Sequence, residues 1–144
     1  PPNVRYRVAD LANDSFPDPT GAATAKWYAY EVLQHLAVDE ADRLLARVAD
    51  AAPAPARVFF GSIPDRDRLE AFYDTPERMG RYRRMVAAGN EQIGTWWVPS
   101  EIASLARARG FTCRMLPQDP SLYTAHYRFD ALLTRGTDGG TAGV

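Results

Sequence analysis

Apolar positions along the chain change period several times, and each change marks an element. Val4, Tyr6 and Val8 alternate with Arg5 and Arg7, which predicts a short strand ending at Ala9 and Asp10. Residues 12–24 are rich in turn formers and read as a loop. The run from Trp27 to Leu36 is apolar until its polar close at Gln34 and His35. It predicts a strand over 26–31 buried on both faces, as is typical of a parallel sheet. Ala41, Leu44, Leu45 and Val48 then recur at helical spacing behind Asp39, the expected cap, and Pro53 closes that helix. Residues 56–60 form a third strand, broken by Gly61 into a turn with Pro64 and Asp65.

The second half repeats the alternation. Leu69, Phe72 and Tyr73 mark a short amphipathic stretch, and Thr75-Pro76 opens an arginine-rich helix that Gly89-Asn90 stops. After the bulky loop 93–99, Ser100 is placed to cap a helix ending at Gly110. Residues 111–116 and 124–133 are the last strands; no helix separates them, so they should pair as an antiparallel hairpin. The expected fold is therefore α/β, a partial three-layer sandwich whose sheet is mostly parallel with a C-terminal antiparallel hairpin. One domain covers 1–135, and 136–144 has the composition of a disordered tail.

Composition narrows the function classes. The 144 residues, 46% hydrophobic and 24% charged, suffice for one core. A net charge of -1 with interspersed arginines gives no field for a phosphate backbone, so no nucleic-acid partner is expected. No apolar run approaches the roughly 18 residues of a membrane helix, so a soluble, cytoplasmic protein is expected. The single cysteine, Cys113, forms no internal disulfide and reads as a small apolar strand residue. Pro1 could serve as a secondary-amine base, but Pro2 and Asn3 make it part of a linker.

Five stretches, in order, resemble the C-terminal half of a class I S-adenosylmethionine-dependent methyltransferase. They are Val8-Ala9-Asp10-Leu11, Glu31-Val32-Leu33-Gln34-His35-Leu36, Gly61-Ser62-Ile63-Pro64-Asp65-Arg66, the span from Trp97-Val98-Pro99-Ser100-Glu101 to Arg109-Gly110-Phe111, and the closing Ala125-His126-Tyr127-Arg128-Phe129-Asp130 strand. The likeness covers residues 3–134 and implies a Rossmann-like fold. The family's glycine-rich loop and its ribose-binding acid have no counterpart here. The expectation is thus a fragment lacking the first strands, completed by a missing N-terminal half or a homodimer partner.

The resemblance implies S-adenosylmethionine as cofactor and a small molecule as acceptor, with oxygen the preferred atom. Asp10 would accept from the adenine amino group, and Leu11 and Tyr30 would contact the cofactor. Glu31, Trp97 and His126 would face the substrate. His35 is the catalytic candidate, because imidazole side chains as a class titrate near neutrality. Each has a plainer reading: Asp10 as a turn cap, Tyr30 and Trp97 as core packing, His35 as a helix-start residue bonding backbone, His126 as structural. Arg78, Arg81, Arg83 and Arg84 read first as a solvated face. A metal held by Glu31, Gln34 and His35 is disfavoured because Gln is a poor ligand, and no metal is expected. A non-catalytic remnant that has lost the cofactor is the competing reading.

Overall fold

The computed structural model describes residues 8–11, 13 and 25–136. Most of the strand expected over 4–8, the loop over 12–24, Pro1 and nearly all of the tail lie outside the described residues. Within them, β1 (Lys26–Tyr30) leads through a 3-10 turn (Leu33–His35) into α1 (Val38–Ala51), followed by β2 (Ala56–Pro64). A second 3-10 turn (Arg66–Arg68), α2 (Leu69–Phe72), α3 (Pro76–Ala87) and α4 (Pro99–Ala108) come next, then β3 (Thr112–Pro117) and β4 (Arg128–Arg135).

The strands lie in the order β1-β2-β4-β3, which overturns the expectation of a mostly parallel sheet. Only β1 and β2 pair in parallel, Trp27 beside Val58; β4 pairs antiparallel with both β2 and β3. The connection through the three helices carries the chain past a gap one strand wide. β4 returns into that gap instead of closing the edge, so the sheet is mostly antiparallel.

Among the described residues, one face of the sheet is packed and the other is open. Val58, Phe60, Ala131 and Leu133 point to the side where α1 contributes Ala41, Leu44, Leu45 and Val48, and α4 contributes Ile102 and Ala106. Asp42 of α1 and Arg109 at the end of α4 join the two helices through paired bonds of 2.6 and 3.1 Å. On the opposite face Tyr28 is 72% exposed, and Arg57, Thr112 and Arg114 are exposed as well. Two of the three expected layers are therefore present among the described residues. β1 is correspondingly not buried on both faces: Tyr28 stacks on Tyr30 and Phe59 in solvent.

The starts of α1 and α4 differ from the expected caps for one reason. Each is closed by a glutamate reaching back rather than by a short polar cap. Glu40 accepts from the Ala37 amide at 2.7 Å, which places Asp39 in the first turn, paired with Arg43. Glu101 accepts from the Val98 amide at 3.0 Å, which places Ser100 likewise. Thr75 caps α3 as expected, its hydroxyl accepting from the Arg78 amide. Residues 124–127 form turns, so β4 begins only at Arg128. No described helix is long and apolar enough to cross a membrane.

Candidate active site

The topology brings the ends of β1, β2 and β3 and the beginning of β4 to one rim. The Glu31 amide donates to the Gly61 carbonyl at 3.0 Å, extending the parallel ladder by one step. Both chains then turn through residues with positive φ, Glu31 at 58° and Ser62 at 61°. Neither is glycine, and such conformations cost about 1–3 kcal/mol each unless the surroundings hold them. Gly61 has no room for a side chain, since a Cβ would lie 2.5 Å from the Tyr30 ring. The register between β2 and β4 shifts between Phe60 and Ile63. That irregularity points Ser62 at the start of β4.

Arg128 fills the space so formed. It is 4% exposed, and its Nη1 donates to the Ser62 carbonyl at 2.6 Å and to Gln34 Oε1 at 2.8 Å. The Glu31 carboxylate stands 3.8 Å away and accepts from the Ser62 hydroxyl at 3.2 Å. Nε of Arg128 is buried with no hydrogen-bond partner among the described residues. A buried cation needs such acceptors, because desolvation otherwise costs several kcal/mol. Beside it, Asp130 accepts from the Ser62 amide at 2.8 Å and from Gln118 at 3.1 Å, and Thr124 donates to Gln118.

The 3-10 turn carrying Gln34 and His35 is clasped from outside by residues 94–97. The Thr95 amide and hydroxyl donate to the carbonyls of Gln34 and Leu36 at 2.7 and 2.8 Å, and the Trp97 indole donates to the Leu33 carbonyl at 3.0 Å. An aromatic roof stands over the rim. Phe72 and Trp96 pack on Tyr127, while Glu91 accepts from the Tyr73 hydroxyl and the Trp96 indole. Burial first, and then the Glu91 carboxylate, push the Tyr73 hydroxyl far above its ordinary range.

The sequence-derived candidates fall into four groups. Leu11 and Tyr30 line one apolar recess of about 480 Å³ with Trp27, Val32 and Leu44, and Arg47 of α1 donates to the Leu11 carbonyl. Asp10 is exposed next to it and accepts from the Asn13 side chain at 2.9 Å. Glu31 and His35 share the rim, the His35 Nε2 lying 3.2 Å from the Gln34 side-chain nitrogen. His126 is exposed in the turn before β4, edge-on to Tyr127. Trp97, at 0% exposure, belongs to the core and presents no surface to a ligand. Among the described residues no three His, Cys, Asp or Glu side chains could hold a metal ion.

No protein-family model and no curated protein matches the chain. Solved structures do. An O-methyltransferase family protein from Burkholderia thailandensis superposes with a TM-score of 0.60 at 15% identity, over 95% of this chain and 37% of that one. Human N-acetylserotonin methyltransferase in complex with SAM gives 0.58 at 17% identity, over 91% and 33%. The magnesium protoporphyrin IX methyltransferase of Synechocystis with bound SAH gives 0.55 at 16%, over 89% and 49%. The fold is part of the class I SAM-dependent methyltransferase fold. The chain spans between a third and a half of the length of these three structures.

Within this partial methyltransferase fold, the residues that knit the rim together are Ser62, Gln118, Arg128 and Asp130, and none was singled out from sequence. In the sequence, Arg128 and Asp130 alternate with the apolar Ala125, Tyr127 and Phe129, a pattern that puts them on the other face of a strand and gives no sign that Arg128 is buried. The signal that could have found Arg128 is its place between two aromatic residues, Tyr127 and Phe129, just after a turn-rich stretch.

Proposed function

We propose that this chain is part of an S-adenosylmethionine-dependent methyltransferase that methylates a small molecule, on oxygen. The observation that carries this reading is the shared recess of Leu11 and Tyr30, lying at the edge of the rim within a methyltransferase-like fold. The recess is apolar and Asp10 directly precedes its lining residue Leu11, which suits a planar heteroaromatic ring with an amino group. When bound, the cofactor would supply an activated methyl group for transfer to the acceptor oxygen, with Leu11, Tyr30 and Asp10 as the residues that would hold it.

The chain's own contribution is binding and alignment. Asp10 would accept from the ring's amino group while Leu11 and Tyr30 cover its faces. Glu31 and His35 would face the acceptor, with His126 at its outer side. The proton of a hydroxyl acceptor would leave to a rim base. The competing reading is an interaction module that has lost the cofactor.

Titration of the chain with S-adenosylmethionine, followed by calorimetry and by backbone amide shifts, separates the two. The methyltransferase reading predicts weak binding, roughly millimolar, with shifts centred on Leu11 and Tyr30. Asp10→Ala should weaken it about 10-fold, the worth of a hydrogen bond to a charged group. An absence of heat and of shifts at those two residues leaves the interaction module standing.

A further inference from the structure

Arg128 and His35 do not touch, yet the residue between them ties one to the other. A guanidinium only donates hydrogen bonds, so the Gln34 atom 2.8 Å from Arg128 Nη1 is the amide oxygen. The amide's NH2 group therefore points the other way, 3.2 Å from His35 Nε2. An NH2 group also only donates, so Nε2 accepts. In a neutral ring whose Nε2 accepts, the proton sits on Nδ1. Nδ1 has no hydrogen-bond partner among the described residues, and the ring is exposed. Flipping the amide would set NH2 against a buried cation whose Nε already lacks an acceptor, leaving a second guanidinium donor without an amide acceptor. The clasp of Thr95 and Trp97 on the same 3-10 turn holds the backbone of both residues in place.

We infer that Arg128 is a positioning residue: through Gln34 it fixes the His35 proton on Nδ1, so that the ring meets a bound small molecule as a hydrogen-bond donor and not as a base through Nε2. The use of that donor rests on the methyl-transfer reading; the proton's place does not. The inference narrows the ligand class. The group beside His35 is an acceptor, such as a carbonyl, a carboxylate or a hydroxyl already ionised. The proton of an un-ionised hydroxyl then passes to the Glu31 carboxylate, which is 45% exposed on the same rim.

Long-range proton–nitrogen correlation spectra of the neutral imidazole, recorded at alkaline pH with His126→Gln to leave one histidine, read the tautomer directly. The Nδ1–H form is expected in the otherwise unaltered chain. Gln34→Glu puts a carboxylate oxygen against Nε2 and should invert the ratio toward Nε2–H. Arg128→Met should release the amide and give the same inversion, whereas Arg128→Lys, still a donor, should keep Nδ1–H. If Arg128→Met fails to fold by its amide spectrum, Gln34→Glu and Arg128→Lys decide. An Nε2–H ring in the unaltered chain, or an Nδ1–H ring that survives Gln34→Glu, overturns the inference. These samples contain no cofactor, so a failed titration with S-adenosylmethionine and a failed tautomer assignment are separate results.

Discussion

At the scale of single residues the rim holds a second buried charge, Asp65, whose behaviour with pH follows from its surroundings. Burial pushes its carboxyl above the ordinary 3.8, only partly offset by the Asp67 amide and by Arg68 at 3.3 Å. Because the folded value is the higher one, the folded chain holds this proton more tightly than the unfolded chain does. The associated stabilisation is complete below the unfolded value and is lost as pH rises through the folded value. Asp65→Asn removes the titration while keeping an acceptor for the Asp67 amide. The variant's urea midpoint, relative to the parent's, should therefore climb between strongly acidic pH and neutrality. A pH-independent difference would refute the assignment. Such a residue is only half legible in the sequence: the Gly-Ser-Ile-Pro-Asp stretch reads as a turn, whereas β2 runs on to Pro64 through an irregular register, and nothing in the local pattern shows that Asp65 is covered. Ser62 and Arg128 were not legible at all. What selects them is a register shift in β2 and a strand inserted elsewhere in the chain, and neither leaves a mark in the local pattern.

At the scale of elements, the 3-10 turn at residues 33–35 depends on a strap that has no secondary structure of its own. Gly94 makes this possible. Its φ is 95°, and a Cβ there would stand 2.1 Å from the Gln34 carbonyl oxygen, a backbone atom that cannot swing aside. Gly94→Ala should cost about 2–4 kcal/mol, combining a clash with an unfavourable φ. Denaturant unfolding measures the loss, and amide shifts at Gln34 and His35 should report displacement of the turn. A cost near zero would mean that the strap does not hold the turn. Helical spacing exposed α1, α3 and α4 in the sequence because each buries a stripe or carries a clear stop. The strap escaped notice because its work is done by backbone atoms, the Thr95 amide and the Gln34 carbonyl, for which residue type carries no signal beyond one glycine.

For the whole molecule, a sheet that α1 and α4 cover on one face, with the other face open among the described residues, has an unequal distribution of stability, and substitution can read that inequality. Leu45, buried between α1 and the sheet, should cost about 2–5 kcal/mol when changed to Ala, since both its transfer energy and a cavity are lost. Tyr28 occupies the same sheet on the opposite side with its ring in solvent, so Tyr28→Ala should cost under about 1 kcal/mol, chiefly its stacking on Phe59. The contrast follows from the packing arrangement alone. Sequence could not supply it, because Trp27, Tyr28 and Tyr30 read as equally apolar while alternate positions of β1 face different environments. The same pair of variants also tests for a covering layer. If a second copy of the chain or a further segment packs on the open face, the cost of Tyr28→Ala rises toward that of Leu45→Ala in its presence, while the cost of Leu45→Ala stays fixed. Unfolding midpoints of the parent and both variants across a range of chain concentration would show this, since a self-associated face makes only the cost of Tyr28→Ala, taken against the parent, concentration-dependent.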